Sequence, residues 1–510
     1  MITLAEKYNA STMLDTKLAA GLAAKTAIIC GDERISYGEL FGRVCRIGSG
    51  LRRLGIRPGE RVILVLRDTP LLPAAFLGTL RIGAVPCLLN PLFNSADYLH
   101  FVRDSDAAVA IIDSTHLEEI SQSLAGTTIL APTATQGHVI SIEEFMSAED
   151  DTLTPADTHR DDMAFWLYSG GSTGRPKAVI HAHQDIPSTY ETYARNILKI
   201  TEDDVSFARA IFHAYGLGGG VTFPLSAGAT SVLCPDRPTP AELLRIIDRH
   251  RPSLLFLIPT LYKAILDDRV SASASVSSLR LCISAAESSA PEIWHRWRKT
   301  FGLEIIDGVG STEMLHIYCS NAPGAVRPGS SGKAVPGYKL RLVDEIGLPI
   351  TEGNAGILQV SGQSSSLGYW RQRVKTQQVM LGEWISTGDR YHLDEDGFYW
   401  YKGRADDMVK IGGEWVSPIE IENVLLEHPA VLEVAITGCR VDDLTRIRAL
   451  IVPVPDHDNA AGLAAELQEW CKSRLQRYQY PHHIEFVDPL PRTAIGKIER
   501  FRLREQPRQS

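Results

Sequence analysis

The sequence is short of the features that mark exported, membrane-spanning and disulfide-stapled proteins. Its 510 residues contain eight cysteines, scattered without a C-x-x-C pair and often within apolar runs, which is typical of reduced core residues in a cytoplasmic compartment. No apolar run approaches the ~20 residues that cross a bilayer, and the start M-I-T-L-A-E-K-Y lacks a charged-then-apolar signal. We therefore expect neither export nor membrane insertion.

Excess positive charge is also missing. Lysine and arginine total 52 against 61 acidic residues, a net charge of −9, whereas nucleic-acid-binding proteins usually carry a basic footprint. What is present, 44% hydrophobic and 22% charged residues with 41 glycines and 28 prolines, is typical of soluble α/β proteins. The length predicts two to four structural units.

Short apolar runs alternate with amphipathic stretches through residues 28–115. Val62–Leu66 and Ala108–Ile112 are predicted strands, and Tyr37–Leu54 and Pro73–Ile82 predicted helices, in the order of parallel-sheet α/β units. A polar connection with one short helix is expected over residues 131–162. Further strands are predicted at Ser231–Cys234, Leu254–Ile258, Leu279–Ser284 and Leu303–Ile306. Ligands of open α/β sheets bind beyond the carboxyl ends of the strands, so chemistry is expected in the turns that follow.

The character of the sequence changes after about residue 340. β-rich, aromatic segments with frequent glycines predict a separate small β unit, and a final segment begins near Asp406. Within that segment Ser417 is predicted to cap a helix that starts at Pro418, with Glu420 completing a capping box. We expect a domain boundary near Asp406.

One loop has the composition of a phosphate-binding site. Residues 168–179 read Y-S-G-G-S-T-G-R-P-K-A-V, a buried strand that runs into a Gly, Ser and Thr loop and then Lys177. Clustered glycines let backbone N–H groups converge on an anion, Ser172 and Thr173 add hydroxyl donors, and Lys177 adds positive charge. The spacing is not that of the P-loop, G-x-x-x-x-G-K-[ST], and on its own this loop could be an ordinary surface connection.

Three further motifs each have a functional interpretation and a plain one. In D-G-V-G-S-T-E at 307–313, Glu313 could bind a Mg²⁺ ion that bridges phosphates and Thr312 a phosphate oxygen, or the motif is a turn whose Glu faces water. In T-G-D at 387–389, Asp389 could bind ribose hydroxyls, or the motif is an ordinary β-turn. In P-R-T-A-I-G-K at 491–497, Lys497 could swing into a site, or it is a solvated lysine.

Together with S-A-A-E at 284–287 and G-R-A-D-D at 403–407, these motifs resemble, in order and spacing, the adenylate-forming superfamily of acyl-CoA synthetases, adenylation domains and luciferases. The resemblance covers essentially the whole chain. F-H-A-Y-G-L-G at 212–218, S-T-E-M-L-H-I-Y-C-S-N at 311–321 and G-G-E-W-V-S-P-I-E at 412–420 are most similar to its benzoate-CoA ligase group. The implied α/β fold has a large N-terminal domain over residues 1–405, with two α/β subdomains and a small β-barrel-like unit, and a small mobile α+β domain over residues 406–510.

The resemblance implies an AMP-forming acid–thiol ligase that converts an aromatic carboxylate, ATP and CoA into an aryl-CoA, AMP and pyrophosphate, with Mg²⁺ as the metal. It also implies a set of nucleotide-binding residues. These are Ser172, Thr173, Gly174 and Lys177 for the β- and γ-phosphates, Ala286 and Glu287 near the adenine, Asp307 also toward ATP, Thr312 for the α-phosphate, Glu313 for Mg²⁺, and Asp389 with Arg404 for the ribose.

The resemblance further implies a pocket for the acid and a moving lysine. The pocket is lined by Ala214, Tyr215, Gly310, His316 and Ile317, with His213 at its gate. His316 either contacts a ring substituent or is a structural histidine, and amino- and hydroxybenzoates stay open as substrates. Lys497 would bridge the carboxylate and the α-phosphate, then leave as the C-terminal domain turns about a hinge at Asp406. Gly412 and Gly413 would approach the pantetheine channel of CoA, unless they form only a tight turn.

The chain departs from the superfamily in the phosphate loop. Many members have Thr-Ser where this chain has Ser169-Gly170, and Gly where it has Ala178, which predicts a weaker grip on pyrophosphate. Two alternatives to the CoA ligase stay open: an aryl-AMP ligase that loads a carrier protein, and a nucleotide-binding regulator without turnover. The protein is expected to be a monomer or homodimer, with no nucleic acid or membrane partner.

Overall fold

The computed structural model describes residues 3–93, 95–113, 117, 120, 124, 127–132, 139–147, 149–171, 174–268, 275–350, 353–411, 414–441, 444–454, 460–476, 478–491, 498 and 502–503. Within these residues, the strands in chain order are β1 Thr26–Cys30, β2 Glu33–Ser36, β3 Arg61–Val65, β4 Val85–Leu88, β5 Val109–Ile112, β6 Thr128–Ala131, β7 Val139–Ser141, β8 Met163–Gly171, β9 Gly174–Ala182, β10 Val205–Phe207, β11 Thr230–Leu233, β12 Leu254–Leu257, β13 Leu281–Ser284, β14 Ile305–Gly310, β15 Ile317–Ser320, β16 Lys333–Ala334, β17 Lys339–Val343, β18 Ala355–Ser361, β19 Gly368–Tyr369, β20 Met380–Leu381, β21 Trp384–Leu393, β22 Tyr399–Arg404, β23 Val409–Ile411, β24 Glu414–Val416, β25 Val431–Val441, β26 Leu444–Pro453 and β27 His483–Phe486.

The helices connect these strands. They are α1 Met13–Ala19, α2 Tyr37–Arg53, α3 Leu71–Arg81, α4 Ser95–Ser105, α5 Ile142–Ser147, α6 Asp185–Thr189, α7 Ala214–Leu217, α8 Phe223–Ala227, α9 Pro240–His250, α10 Pro259–Asp267, α11 Pro291–Phe301, α12 Arg373–Val379, α13 Pro418–Leu426 and α14 Ala460–Lys472. Capping boxes begin α2 at Ser36 and α9 at Thr239, where each cap residue and a Glu three positions later satisfy one another. No helix among the described residues is long and apolar enough to cross a bilayer.

Two large sheets form the N-terminal part. One has eight strands in the order β19-β9-β8-β4-β3-β5-β6-β7, and the other has nine in the order β16-β15-β14-β13-β12-β10-β11-β1-β2. Their central strands are parallel and buried along their whole length, as Val85–Leu88 and Leu254–Leu257 are, which explains their continuous apolar runs. The predicted α/β units and strand positions are confirmed.

A third sheet is the predicted small β unit. Its strand order is β17-β18-β21-β20, with β22 paired to β21. The last segment has its own sheet, β25-β26-β27, and a separate pair, β23-β24. Buried residues from Val409 onward form a core of their own, in which Ile421 and Leu425 of α13 meet Leu467 of α14.

The cap of α13 corrects one prediction. Ser417 accepts a hydrogen bond from the backbone N–H of Glu420, as expected, but the Glu420 carboxylate does not return to the cap residue. It binds Lys402 of β22 and accepts from Gln479 at 2.9 Å instead. A charged partner is worth more to a carboxylate than a second backbone donor, so the box is only half formed.

Candidate active site

The predicted phosphate loop is the tip of a β-hairpin. Strands β8 and β9 pair in antiparallel register, with Gly171 opposite Gly174 and Ser169 opposite Lys177. Lys177 therefore lies on the returning strand and not in the loop. Ser172 and Thr173 lie outside the described residues. Two positions depart from the superfamily pattern, as noted above. At Gly170 there is space for a side chain, because a Cβ would meet nothing within 4 Å, and at the other position the methyl group of Ala178 is buried.

Lys177 sits in a small charged cluster. Its Nζ lies 3.7 Å from Oε1 of Glu313 and 4.0 Å from the ring centre of Tyr369, and the Lys177 and Glu313 side chains are each only 16% exposed. Burial lowers the pKa of Lys177, an effect that Glu313 opposes. The Tyr369 hydroxyl donates to Oε1 of Glu313 at 2.7 Å. Tyr369 thus contacts both charged groups, although no sequence motif had pointed to it.

Thr312 and Glu313 lie in a 3-10 turn, Thr312–Met314, capped by Ser311. The strand before it is longer than predicted, because β14 continues to Gly310 and pairs with β15. The glycines of D-G-V-G serve this pairing. A Cβ at Gly308 would lie 2.9 Å from the carbonyl oxygen of Cys319, and one at Gly310 would lie 2.5 Å from that of His316.

The T-G-D motif is a bulge within a strand and not a β-turn. Ile357 pairs with Arg390 and Gln359 with Ser386, so three residues, 387–389, face the single residue Leu358. The Thr387 hydroxyl donates to the carbonyl of Leu358 at 2.9 Å and accepts from the N–H of Asp389 at 3.1 Å. Gly388 has a φ of +73°. The bulge turns the Asp389 carboxylate toward Arg404, whose Nη1 donates to it at 3.3 Å.

The remaining predicted nucleotide residues lie on two neighbouring strands. Ala286 and Glu287 follow the carboxyl end of β13, and Asp307 is the third residue of β14. Ala286 adopts a left-handed φ of +76°, and the Glu287 carboxylate accepts from the Thr260 hydroxyl at 2.7 Å. Burial raises the pKa of Asp307 to about 8, against a smaller lowering effect of Ser284. The backbone carbonyl of Asp307 accepts from the N–H of Asn321 at 2.9 Å, which fixes the strand.

Of the predicted pocket residues, Tyr215, Gly310 and Ile317 lie close to His316, and Ala214 precedes Tyr215 in the chain. His316 Nε2 donates to the carbonyl of Tyr215 at 3.3 Å, and its ring packs 5.7 Å from that of Tyr215 and 4.4 Å from that of Phe223. Burial lowers the pKa of His316 to about 3. Gly310 pairs directly with Ile317 across the β14–β15 hairpin. Ala214 and Tyr215 begin α7, immediately after His213 at its N-cap.

Tyr193 and Phe223 belong to the same aromatic group and were not predicted from the sequence. The Tyr193 ring lies 5.4 Å from that of His316 and 6.3 Å from that of Phe223. Tyr193 lies in a π-helical segment and Phe223 follows another, so neither belongs to a recognisable motif.

Of the residues predicted to act from the C-terminal segment, the structure describes only some. Asp406 lies in a 3-10 turn, Ala405–Asp407, directly after β22. Lys497, Gly412 and Gly413 lie outside the described residues. Among the described residues no three His, Cys, Asp or Glu side chains form a metal cage. A single carboxylate such as Glu313 suits Mg²⁺, which is commonly bound through one or two carboxylates and the phosphates of a substrate.

Known proteins share both the sequence and this architecture. The model for AMP-binding enzymes matches residues 16–370, and that for the C-terminal domain of AMP-binding enzymes matches residues 420–497. The chain is 43% identical over 510 residues to the benzoate–CoA ligase of Thauera aromatica, covering 99% of this chain and 97% of that protein. It is 42% identical to the 4-hydroxybenzoate–CoA/benzoate–CoA ligase of Rhodopseudomonas palustris, covering 98% and 94%.

Solved structures agree. A benzoate CoA ligase from Burkholderia xenovorans LB400 superimposes with a TM-score of 0.91 at 41% identity, covering 98% of this chain and all of that one. The anthranilate CoA ligase AuaEII, in complex with anthranoyl-AMP, superimposes with a TM-score of 0.94 at 37% identity, covering 98% and 97%. The chain therefore belongs to the AMP-binding enzyme family and, within it, to the adenylate-forming aryl-CoA ligases.

Proposed function

We propose that this ligase activates benzoate, or a benzoate with an apolar substituent, in the pocket around His316. The observation that carries the proposal is that the polar side chains of the pocket leave no free donor for a ligand. The Tyr215 hydroxyl donates to the carbonyl of Ile283 at 2.9 Å, and His316 Nε2 donates to the carbonyl of Tyr215. His316 Nδ1 has no hydrogen-bond partner but is fully buried. The side chains of Ala214 and Ile317 are apolar, and Gly310 has no side chain.

A ring hydroxyl in such a pocket would leave water without gaining a partner, which costs binding free energy. Apolar pockets reject an added hydroxyl only modestly, by about 100-fold. We therefore expect kcat/KM for benzoate to exceed that for 3- and 4-hydroxybenzoate by about 10- to 100-fold. Steady-state rates with each acid at saturating ATP and CoA measure the ratio. A hydroxybenzoate that matches or outperforms benzoate would contradict this assignment of the acid.

The nucleotide is proposed to lie along the hairpin tip and the Thr312–Met314 turn. Lys177 and the donors of the tip would hold the β- and γ-phosphates, Thr312 the α-phosphate, and Asp389 with Arg404 the ribose. Ala286 and Glu287 would lie near the adenine, with Asp307 also toward ATP. Glu313 would hold Mg²⁺, which supplies positive charge to the phosphates when bound. Attack of the carboxylate on the α-phosphorus builds negative charge on its oxygens, and fixed cations lower the barrier to that step.

The C-terminal segment is proposed to supply Lys497 to this step and to move afterwards. A core that begins at Val409 and an N-terminal core that ends before it support a boundary near Asp406. After rotation about Asp406, Gly412 and Gly413 would line the path of the CoA thiol to the adenylate, and His213 would lie at the gate between acid and nucleotide. The mixed anhydride needs no further activation by the protein for the thiolate to displace AMP.

Replacement of Lys497 tests these roles. We expect Lys497→Ala to lower benzoate-dependent pyrophosphate release by about 100- to 1000-fold, the usual cost of one transition-state contact. Arg500→Ala, a charge loss in the same segment, is the matched control and should retain activity. Pyrophosphate release that survives Lys497→Ala would refute the assignment of the lysine.

The acceptor and the compartment complete the proposal. Incubation of the protein with benzoate, ATP and Mg²⁺, with and without CoA, followed by mass spectrometry, distinguishes a free-CoA acceptor from a carrier protein: benzoyl-CoA supports the former, and benzoyl-AMP that CoA does not consume supports the latter. All eight cysteines are free, which supports a reducing, cytoplasmic compartment.

A further inference from the structure

A buried histidine–aspartate pair lies directly beneath the Thr312–Met314 turn. His181 lies near the end of β9, and Asp185 begins α6 four residues later. Both side chains are 0% exposed. Neither belongs to the motifs that resemble the adenylate-forming enzymes. Fully buried ionisable pairs are costly to keep, so the contacts of this pair call for an explanation.

The pair connects β9 to the backbone of Thr312. His181 Nδ1 lies 2.7 Å from Oδ2 of Asp185, and His181 Nε2 lies 2.8 Å from the carbonyl oxygen of Thr312. The same Asp185 oxygen accepts from the N–H of Ala182 at 3.1 Å, and the His181 ring stacks on Phe165 with centroids 5.0 Å apart. The imidazole is therefore fixed in position and in rotation.

The proton on Nε2 follows from these contacts. A carbonyl oxygen only accepts hydrogen bonds, so Nε2 must carry a proton and donate it to Thr312. A second proton lies between Nδ1 and Oδ2, whichever of the two atoms holds it. Burial raises the pKa of Asp185, which favours a protonated carboxyl that donates to Nδ1. In either state the pair keeps Nε2–H aimed at the turn.

Strand β9 thus holds the turn at two points. Residues four apart on a strand face the same side, so Lys177 and His181 both reach across from β9, one to the Glu313 carboxylate at 3.7 Å and the other to the Thr312 carbonyl. The other carbonyls of the turn also have donors: the N–H of Ser366 for Glu313, and the Ser364 hydroxyl for Met314, each at 2.8 Å. Of these two links from β9, His181 is the one that binds the backbone of the turn.

We propose that His181, oriented by Asp185, is a positioning residue for adenylate formation that fixes Thr312 and Glu313 against the phosphate hairpin. It touches no substrate and acts through the backbone of Thr312. The inference rests on the roles proposed above for Thr312 and Glu313. Glu313, through Mg²⁺, serves ATP and its pyrophosphate, whereas the transfer of the acyl group from a preformed adenylate to CoA involves no pyrophosphate. Thr312 meets the α-phosphate in both half-reactions, but the in-line attack that depends on its exact position occurs only in the first.

The two half-reactions of His181→Leu test the proposal. We expect benzoate-dependent pyrophosphate release to fall by about 10- to 100-fold, the usual cost of losing an outer contact that orients a functional group. Thioester formation from synthetic benzoyl-AMP and CoA should change less than threefold. Titration calorimetry should give a Kd for Mg·ATP that weakens more than the Kd for AMP, because AMP keeps the α-phosphate that Thr312 binds but lacks the phosphates bridged through Mg²⁺ and Glu313. His181→Gln, which returns an N–H near the position of Nε2, should recover most of the loss.

Three further measurements separate positioning from simple loss of structure. His183→Gln is the matched control, because His183 is equally buried but contacts the backbone of Ala10, so both half-reactions should change together. Asp185→Leu should reproduce the effect of His181→Leu, and the double variant should be no worse than either. The proton between Nδ1 and Oδ2 is buried away from solvent and should exchange slowly. It should give a low-field ¹H NMR signal in the wild type that both single variants lose.

Equal losses in both half-reactions of His181→Leu, or no recovery by Gln while the protein stays folded, would overturn the inference. These outcomes differ from failure of the proposed function. If the wild type formed no benzoyl-AMP, the function would be wrong whatever the variants did; if it does, the ratio of half-reactions in the variants decides the role of His181.

Discussion

Tyr369 carries two interactions that one substitution can separate. Its hydroxyl donates to Glu313, and its ring face lies against the ammonium of Lys177. Tyr369→Phe removes only the hydrogen bond. We expect kcat/KM for Mg·ATP to fall about tenfold, since a hydrogen bond to a charged group contributes about 1.5 kcal/mol, with KM for benzoate unchanged. Tyr369→Leu, which also removes the ring, should cost more, and equal effects of Phe and Leu would show that the hydroxyl alone matters.

Gly218 leaves the space that His316 occupies. A Cβ at Gly218 would lie 2.2 Å from Cδ2 and 2.4 Å from Nε2 of the imidazole, so Gly218→Ala must displace the ring. We expect KM for benzoate to rise at least tenfold, because overpacking usually costs about 1–3 kcal/mol, and KM for ATP to stay the same. Gly220→Ala is the control, since its Cβ would meet the side chain of Ile211 at 3.2 Å and not His316. Steady-state kinetics with each substrate varied decide the matter, and parallel losses for both substrates would contradict it.

At the scale of elements, local patterns predicted strands better than they predicted the site. The apolar runs at 62–66, 254–258 and 279–284 coincide with β3, β12 and β13 to within two residues, because strands buried on both faces need continuous apolar sequence. The ends of β14 and β21 were missed. In the sequence, Gly308, Gly310 and Gly388 indicate turns. In the structure, Gly308 and Gly310 allow close pairing of β14 with β15, and Gly388 lies in a bulge of β21. Both arrangements depend on a partner strand that the local pattern does not show.

The same reason explains the residues that sequence reasoning missed. Tyr369 reaches Glu313 across 56 positions, and His181 reaches Thr312 across 131. Nothing local to either residue indicates its partner. The order of short motifs found Lys177, Glu313 and Asp389, but only the sheet pairing of β9 with β19 explains why Tyr369 stands beside Lys177.

The bulge at residues 387–389 gives a prediction at this scale. Gly388→Ala places a Cβ 3.2 Å from Nη2 of Arg404 and forces alanine into a φ of +73°. We expect KM for ATP to rise about tenfold, since the bulge aims Asp389, and stability to fall by about 1 kcal/mol. Gly397→Ala is a matched control, with a φ of +81° and nothing within 4 Å of its Cβ. It should lose similar stability in thermal unfolding without a change in KM, and a similar rise in KM would refute the role of the bulge.

At the scale of the whole molecule, the connection at residues 405–407 joins two separate cores. If rotation about Asp406 alternates the two half-reactions, a fixed φ at that residue blocks the exchange. We expect Asp406→Pro to retain pyrophosphate release within about threefold while benzoyl-CoA formation from synthetic benzoyl-AMP falls by about 100-fold or more. Asp406→Ala, which removes the carboxylate and leaves φ free, should retain both. Equal losses of the two half-reactions in Asp406→Pro would refute the hinge.

The β14–β15 hairpin has a consequence for how the acid specificity of such an enzyme can change. Gly310, His316 and Ile317 line the proposed acid pocket, and Thr312 and Glu313, proposed for the nucleotide, lie between Gly310 and His316 on the same few residues of chain. A mutation that reshapes this wall therefore moves the nucleotide site as well. Ala214 and Tyr215 stand on α7, which carries none of the proposed nucleotide residues. Selectivity for new acids should therefore evolve, or be engineered, more readily through substitutions in α7. Such substitutions can change which acid binds while the proposed nucleotide residues keep their positions.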